Sequence, residues 1–174
     1  EKIIFSKLRN NHRRDISKYS QVVDCEFIDS SIVSAKVVDL FKNYYFKIAN
    51  KRTHPNKVFE IFYKMIKEGS AILVKAYING NIGGYALLVT YKNQAYYLLG
   101  AQNNNEYPLL KIVLFKSLQY LKSMGYYSFE FGRMEFESSV FHSTNLKRTA
   151  ISSFKKGFGG NIYPIHQGLK YYDK

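Results

Sequence analysis

The run Phe154-Lys155-Lys156-Gly157-Phe158-Gly159-Gly160 combines residue types that can do chemistry at a spacing that can aim them. A lysine pair inside a fixed aromatic frame, closed by glycines, can hold ammonium groups against a bound anion or a developing oxyanion. On a helical turn Phe154 and Phe158 share one face while Lys155 and Lys156 point elsewhere. The same residues also suit an ordinary basic helix end with its glycine stop, and spacing alone does not separate the two. Upstream lies Phe129-Glu130-Phe131-Gly132-Arg133. There Glu130 can accept a proton from an attacking amine, and Arg133 can grip a phosphate or carboxylate bidentately. In an alternating strand Ser128, Glu130 and Gly132 share the face opposite Phe129 and Phe131, which also fits a plain solvent-facing glutamate.

Other chemistries have less support. His12, His54, His142 and His166 show no metal-ligand spacing, so no metal is expected. There is no nucleophile elbow, and the single cysteine, Cys25, lies in an apolar strand far from these segments. One cysteine cannot form an internal disulfide, which suits a reducing compartment and a cytoplasmic location.

The 174 residues, 46% hydrophobic and 17% aromatic, are enough for one domain with its own core. No apolar run approaches a membrane span. The chain begins at Glu1, from which a piece of a longer protein is expected. A formal charge of +13, from 26 Lys and Arg against 13 Asp and Glu, favours an anionic partner: nucleic acid, a nucleotide-linked substrate or a membrane surface. Richness in Asn, Ile and Tyr also fits an AT-rich genome that raises lysine content without functional demand, so charge alone decides little.

Periodicity supplies the elements that must position these residues. Ile4, Leu8 and Ile16, interleaved with Lys7, Arg9, Arg13, Arg14 and Lys18, predict one basic amphipathic helix from Ile3 to Tyr19. A short strand follows at 22–27. A helix capped by Ser30 or Ser31 then runs to about Asn50, and another runs from Pro55 to Gly69. Ala71–Ile78 and Ile82–Thr90 flank Asn79-Gly80 as a hairpin, extended by Ala95–Ala101 into a three-stranded meander. Gly83-Gly84 inside the second strand suggests a bulge or a close backbone approach. A helix from Pro108 to Gly125 leads to a strand over 126–131, a βαβ crossover that makes the strands on either side of it parallel. The segment 135–145 reads as irregular, Thr149–Lys156 as a helical turn, and 163–165 and 169–171 as late strand material.

This order resembles that of a GNAT-type acyltransferase, which implies an α/β (α+β) fold with a mixed, mainly antiparallel sheet, helices on both faces, and splayed strands around the crossover. With Gly83-Gly84-Tyr85-Ala86, Tyr96-Tyr97-Leu98-Leu99-Gly100-Ala101, Phe129-Glu130-Phe131-Gly132-Arg133 and Phe154-Lys155-Lys156-Gly157-Phe158-Gly159, the chain resembles the FemABX and BioF2-like branch of the GNAT superfamily, over nearly its whole length. The resemblance implies that residues 1–20 connect to a further N-terminal domain and that 21–174 form the GNAT-like domain. It implies transfer of an aminoacyl or acyl group to an amine of a cell-envelope precursor, in peptidoglycan or polysaccharide synthesis. The donor would be aminoacyl-tRNA or, as in BioF2-like relatives, acyl-CoA, with no tightly bound cofactor.

Phe154 and Lys155 match the Phe-Lys pair at the family's active centre, so Lys155 becomes the expected oxyanion stabiliser and Glu130 the candidate base. Phe154, Lys156, Arg133, Tyr97 and Phe158 become expected substrate contacts. CoA-binding GNAT enzymes carry Arg or Gln, two residues, Gly, one residue, then Gly or Ala, as a pyrophosphate loop. Here Gln102-Asn103-Asn104-Asn105-Glu106-Tyr107-Pro108 keeps the glutamine and has no glycine. Gln102, Asn103 and Asn104 are thus the expected donor contacts, and the missing glycines favour an RNA-linked donor. A catalytically silent basic module that binds RNA or an anionic precursor is the reading from another class.

Overall fold

A computed structural model describes residues 2–50, 52, 54–103, 106–135 and 146–164. The expectations for Asn104, His142, His166, the body of 135–145 and the late strands beyond Pro164 lie outside the described residues.

The sheet has five strands in sequence order: β1 (Val23–Ile28), β2 (Ala71–Ile78), β3 (Asn81–Tyr91), β4 (Gln94–Gln102) and β5 (Ser128–Glu130). The first three pairings are antiparallel, and β4 pairs β5 in parallel across the helix α5 (Leu109–Ser123), as the crossover rule requires. Asn79 and Gly80 both take positive φ, 49° and 78°, so the β2–β3 hairpin closes on the two-residue turn the sequence predicts. Gly83 is the extra residue where register shifts between Ala76/Gly84 and Tyr77/Ile82, so the predicted bulge is present. A second bulge, at Leu98, shifts β4 against β3.

Both faces of the sheet are covered, which is why β2 is apolar almost throughout. On one face α3 (Ala35–Ala49) and α4 (Asn56–Lys67) bury Phe41, Phe59, Phe62 and Ile66 against Leu73, Tyr85 and Leu87. On the other, α5 buries Leu109, Ile112, Val113 and Leu114 against Val74, Ala86, Leu88 and Ala95, together with Leu8 and Ile16 from the N-terminal segment.

Four elements differ from expectation. The N-terminal helix is two helices, α1 (Lys2–Lys7) and α2 (Asn10–Tyr19). The break falls at Leu8-Arg9 because the Arg9 amide leaves the helical ladder to donate to Gly157 O at 2.9 Å. The cap of α3 is Ser34, whose hydroxyl accepts from the Val37 amide, because Asp29 already holds the Ser31 amide and hydroxyl. Finally, β5 is only three residues long, not six. The last helix, α6 (Leu146–Lys156), extends three residues earlier than the turn predicted at Thr149.

Candidate active site

The short β5 creates the opening. Ladder pairing between β4 and β5 covers Gln94–Tyr96 with Ser128–Glu130 and then stops. From Tyr97 to Gln102, β4 has only β3 as a ladder partner among the described residues, while the chain after Glu130 turns away through Gly132 at φ 79°. The strands therefore part at the Tyr96–Glu130 pair.

Lys155 reaches this point from α6. Its ammonium donates to Arg133 O at 3.0 Å, which leaves two of its three N–H groups for a ligand. Both Lys155 Nζ and the Tyr96 hydroxyl crowd the open side of Gly132: a Cβ there would lie 3.3 Å from Nζ and 2.7 Å from the hydroxyl oxygen. A side chain there would have to push the Tyr96 hydroxyl aside, and the left-handed φ itself favours glycine. Partial burial lowers the Lys155 pKa, and the negative charge of Glu130 offsets part of that. Thus Lys155, Glu130 and Tyr96 converge where the strands separate. Glu130 itself is exposed, and Phe129 and Phe131 pack into the core on the α5 side.

The other candidates fall around this centre. Phe154 is half-buried, and Lys156 and Arg133 are exposed. Phe158 is 4% exposed, stacked on Phe131 with ring centroids 4.6 Å apart, so it supports the lysine segment from beneath. Tyr97 turns to the α5 side, its hydroxyl crowding Gly100 beside Leu110, and burial pushes its pKa up to about 12. Gln102 Oε1 accepts from the Leu110 amide at 3.1 Å, inside the first turn of α5. The Leu109 and Lys111 amides go to Tyr107 O and Pro108 O. The helix end that would receive a pyrophosphate therefore has acceptors on three successive amides. Asn103 is exposed, and its amide donates to Gly83 O. Cys25, with its pKa raised by burial to about 11, is an unreactive thiol. Among the described residues no three His, Cys, Asp or Glu gather as a metal site, and no helix is long and apolar enough to cross a membrane.

Two residues were missed in the sequence. Tyr97 is the tyrosine expected at the substrate, yet Tyr96 is the register partner of Glu130; the glycine two residues past Glu130 was the available signal. His12 was weighed only as a metal ligand. It is fully buried and fills the gap in the 4–8–12–16 helical stripe. Its Nε2 donates to Phe154 O at 3.1 Å, and its ring meets Phe154 and Phe158 at 5.8 and 4.9 Å. Nδ1 lies 2.9 Å from Asn11 Oδ1, which also accepts from Arg9 Nε at 3.0 Å.

Burial first, then the Lys111 charge, pull the His12 pKa from 6.5 to about 4, against the upward pull of the Phe154 carbonyl. The ring is thus neutral when folded, and protonation in the unfolded chain opposes folding below pH 6.5. Stability is therefore full above pH 6.5 and falls with pH toward 4, by about 1.4 kcal/mol per unit at most. Urea unfolding at pH 7 and pH 5 should show this loss in the parent and a smaller one in His12→Gln. Equal losses would refute it.

The strand order, the single parallel pair beside the crossover helix and the opening at its end decide the architecture. FemX superposes with a TM-score of 0.70 at 12% identity, over 91% of this chain and 55% of FemX. This chain has a GNAT fold. An aminoglycoside acetyltransferase from an uncultured soil metagenomic sample, in complex with sisomicin, shares the GNAT fold with a TM-score of 0.61 at 10% identity, covering 90% of this chain and 99% of that one. AAC(6')-Iy, in complex with a bisubstrate analogue built on CoA, gives 0.55 at 10% identity over 87% and 97%. No family model and no curated protein matches the sequence.

Proposed function

We propose that the protein is a GNAT-type N-acyltransferase that passes an aminoacyl or acyl group directly from an activated donor to an amine, without a covalent enzyme intermediate. One observation carries this reading: a lysine ammonium anchored on Arg133 O beside the Tyr96 hydroxyl, at the parting of β4 and β5. The amine nitrogen attacks the donor carbonyl and the new C–N bond forms. Lys155 donates to the oxygen that gains charge. Glu130 takes the amine proton as the C–O or C–S bond to the leaving group breaks, and the leaving atom takes a proton from Tyr96 or solvent.

The donor we favour is aminoacyl-tRNA, and the acceptor an amine of a peptidoglycan or polysaccharide precursor, met in the cytoplasm close to the membrane surface. The acceptor-filled first turn of α5 and the +13 charge support an RNA-linked donor. The likeness to FemX is consistent with an envelope role, and this chain spans about half of FemX. An acyl-CoA donor is the second reading, supported by Gln102 at the α5 terminus and by the CoA complexes among the structural neighbours.

Offering labelled aminoacyl-tRNA and labelled acetyl-CoA in parallel, with an amine-bearing envelope precursor, tests both: a labelled amide from tRNA is expected, and label transferred from neither would refute acyl transfer. Because the ammonium is the active form, the rate should fall as pH rises, with a midpoint below the ordinary lysine value of 10.5. A rate that keeps rising through this range would assign Lys155 a different role.

A further inference from the structure

The stripe Arg148, Ile151, Ser152 and Lys155 runs along one face of α6 at spacings of three and four. Residues 133–135 lie along it, fastened at three points. Lys155 donates to Arg133 O, the Glu135 amide donates to the Ser152 hydroxyl at 2.7 Å, and Arg148 donates to the Glu135 carboxylate at 2.9 Å. Between them is a cavity of about 140 Å³ lined by Arg133, Glu135, Arg148, Ile151 and Ser152. Among the described residues the Arg133 guanidinium has no ion-pair or hydrogen-bond partner. The cavity and Lys155 thus share the helix face that ends at the opening between the strands.

Two guanidiniums and one carboxylate, a net positive charge, border a wall that is otherwise largely apolar, and Lys155 lies on the same helix face. The Arg148–Glu135 pair is partly open to water, with side chains 66% and 29% exposed. Such an exposed pair holds Arg148 weakly. A phosphate carries more charge than a carboxylate and accepts bidentate guanidinium bonds, so it can compete for Arg148 while taking the partnerless Arg133.

We propose that this groove is a phosphate subsite, clamped by Arg133 and Arg148, in which Glu135 is the counter-charge that a bound phosphate displaces. It places a phosphate of the acyl donor beside Lys155, away from the α5 terminus; the identity of the bearer as acyl donor rests on the transfer reading above. Phosphate recognition itself does not.

Calorimetric titration of the whole protein with inorganic pyrophosphate tests the subsite without any need for transfer. Arg133→Gln and Arg148→Gln should each weaken binding about tenfold, while Glu135→Gln, which removes the competing charge, should tighten it. The two arginines are exposed, and unchanged melting of their variants will show that the fold is intact. Pyrophosphate affinity that ignores both substitutions, or an absence of binding, would overturn the proposal. Coenzyme A and deacylated tRNA as competitors distinguish the sources: the one that displaces pyrophosphate and loses affinity in the arginine variants bears the phosphate. If neither displaces it, the assignment to a donor falls. If the arginine variants lose pyrophosphate while transfer proves absent in every variant and the parent, the subsite stands and the acyltransfer reading does not.

Discussion

Lys155→Ala should slow acyl transfer by about a hundredfold to a thousandfold, the loss expected when a preorganised donor to an oxyanion is removed. The physical reason is the anchoring of the ammonium. Held on Arg133 O and walled by Gly132 and Tyr96, it need not reorganise as charge develops on the carbonyl oxygen. Single-turnover transfer is the measurement to make, since it isolates the chemical step from product release. Melting should barely move, because the half-buried side chain gives up one hydrogen bond to a carbonyl. Tyr96→Phe is the informative comparator: a loss smaller than that of Lys155→Ala, with the fold intact, fits a hydroxyl that assists the leaving group. Transfer by Lys155→Ala within twofold of the parent would remove the lysine from the mechanism.

Gly157→Ala should cost about 3 kcal/mol of stability, or roughly 10 °C in melting temperature, the upper range for overpacking a core. A Cβ at residue 157 would stand 2.2 Å from His12 Cε1, 2.4 Å from Nε2 and 2.7 Å from Nδ1. The imidazole cannot yield easily, since it is fully buried and tied to Phe154 O, with Phe154 and Phe158 around it. Residue 157 is also where the Arg9 amide finds its acceptor. Pairing the substitution with His12→Ala should recover part of the loss, because the clash partner is gone. A melting temperature within a degree of the parent would show that the packing there is loose.

The meander was legible because Asn79-Gly80 and the flanking alternation act within a few residues, and the crossover because its chirality rule leaves one arrangement. Gly83 was readable as a bulge for the same local reason. The division of the N-terminal helix was not, since the Arg9 amide is drawn off by Gly157, a partner that periodicity cannot see. Tyr96 was missed because its importance depends on where β5 stops, and that depends on Gly132 and the lysine from α6. His12 was hidden by type: a polar residue in an apolar stripe reads as an interruption until a carbonyl from α6 satisfies it. The frame of the candidate site was thus visible in local signals, and its contents were set by contacts between distant segments.

The bond between His12 and Phe154, across a sequence separation of 142, has a kinetic consequence. The hairpins and α5 can form from neighbouring residues, but α6 is buttressed only when the first helices and the last one meet. The entropic cost of closing a loop grows only slowly with its length, yet it precedes any reward from contacts. The helix that carries the proposed catalytic lysine should therefore be fixed among the last events of folding. During synthesis, the sheet can assemble while α6 is still being made, and α6 is held in place only once it packs against α2.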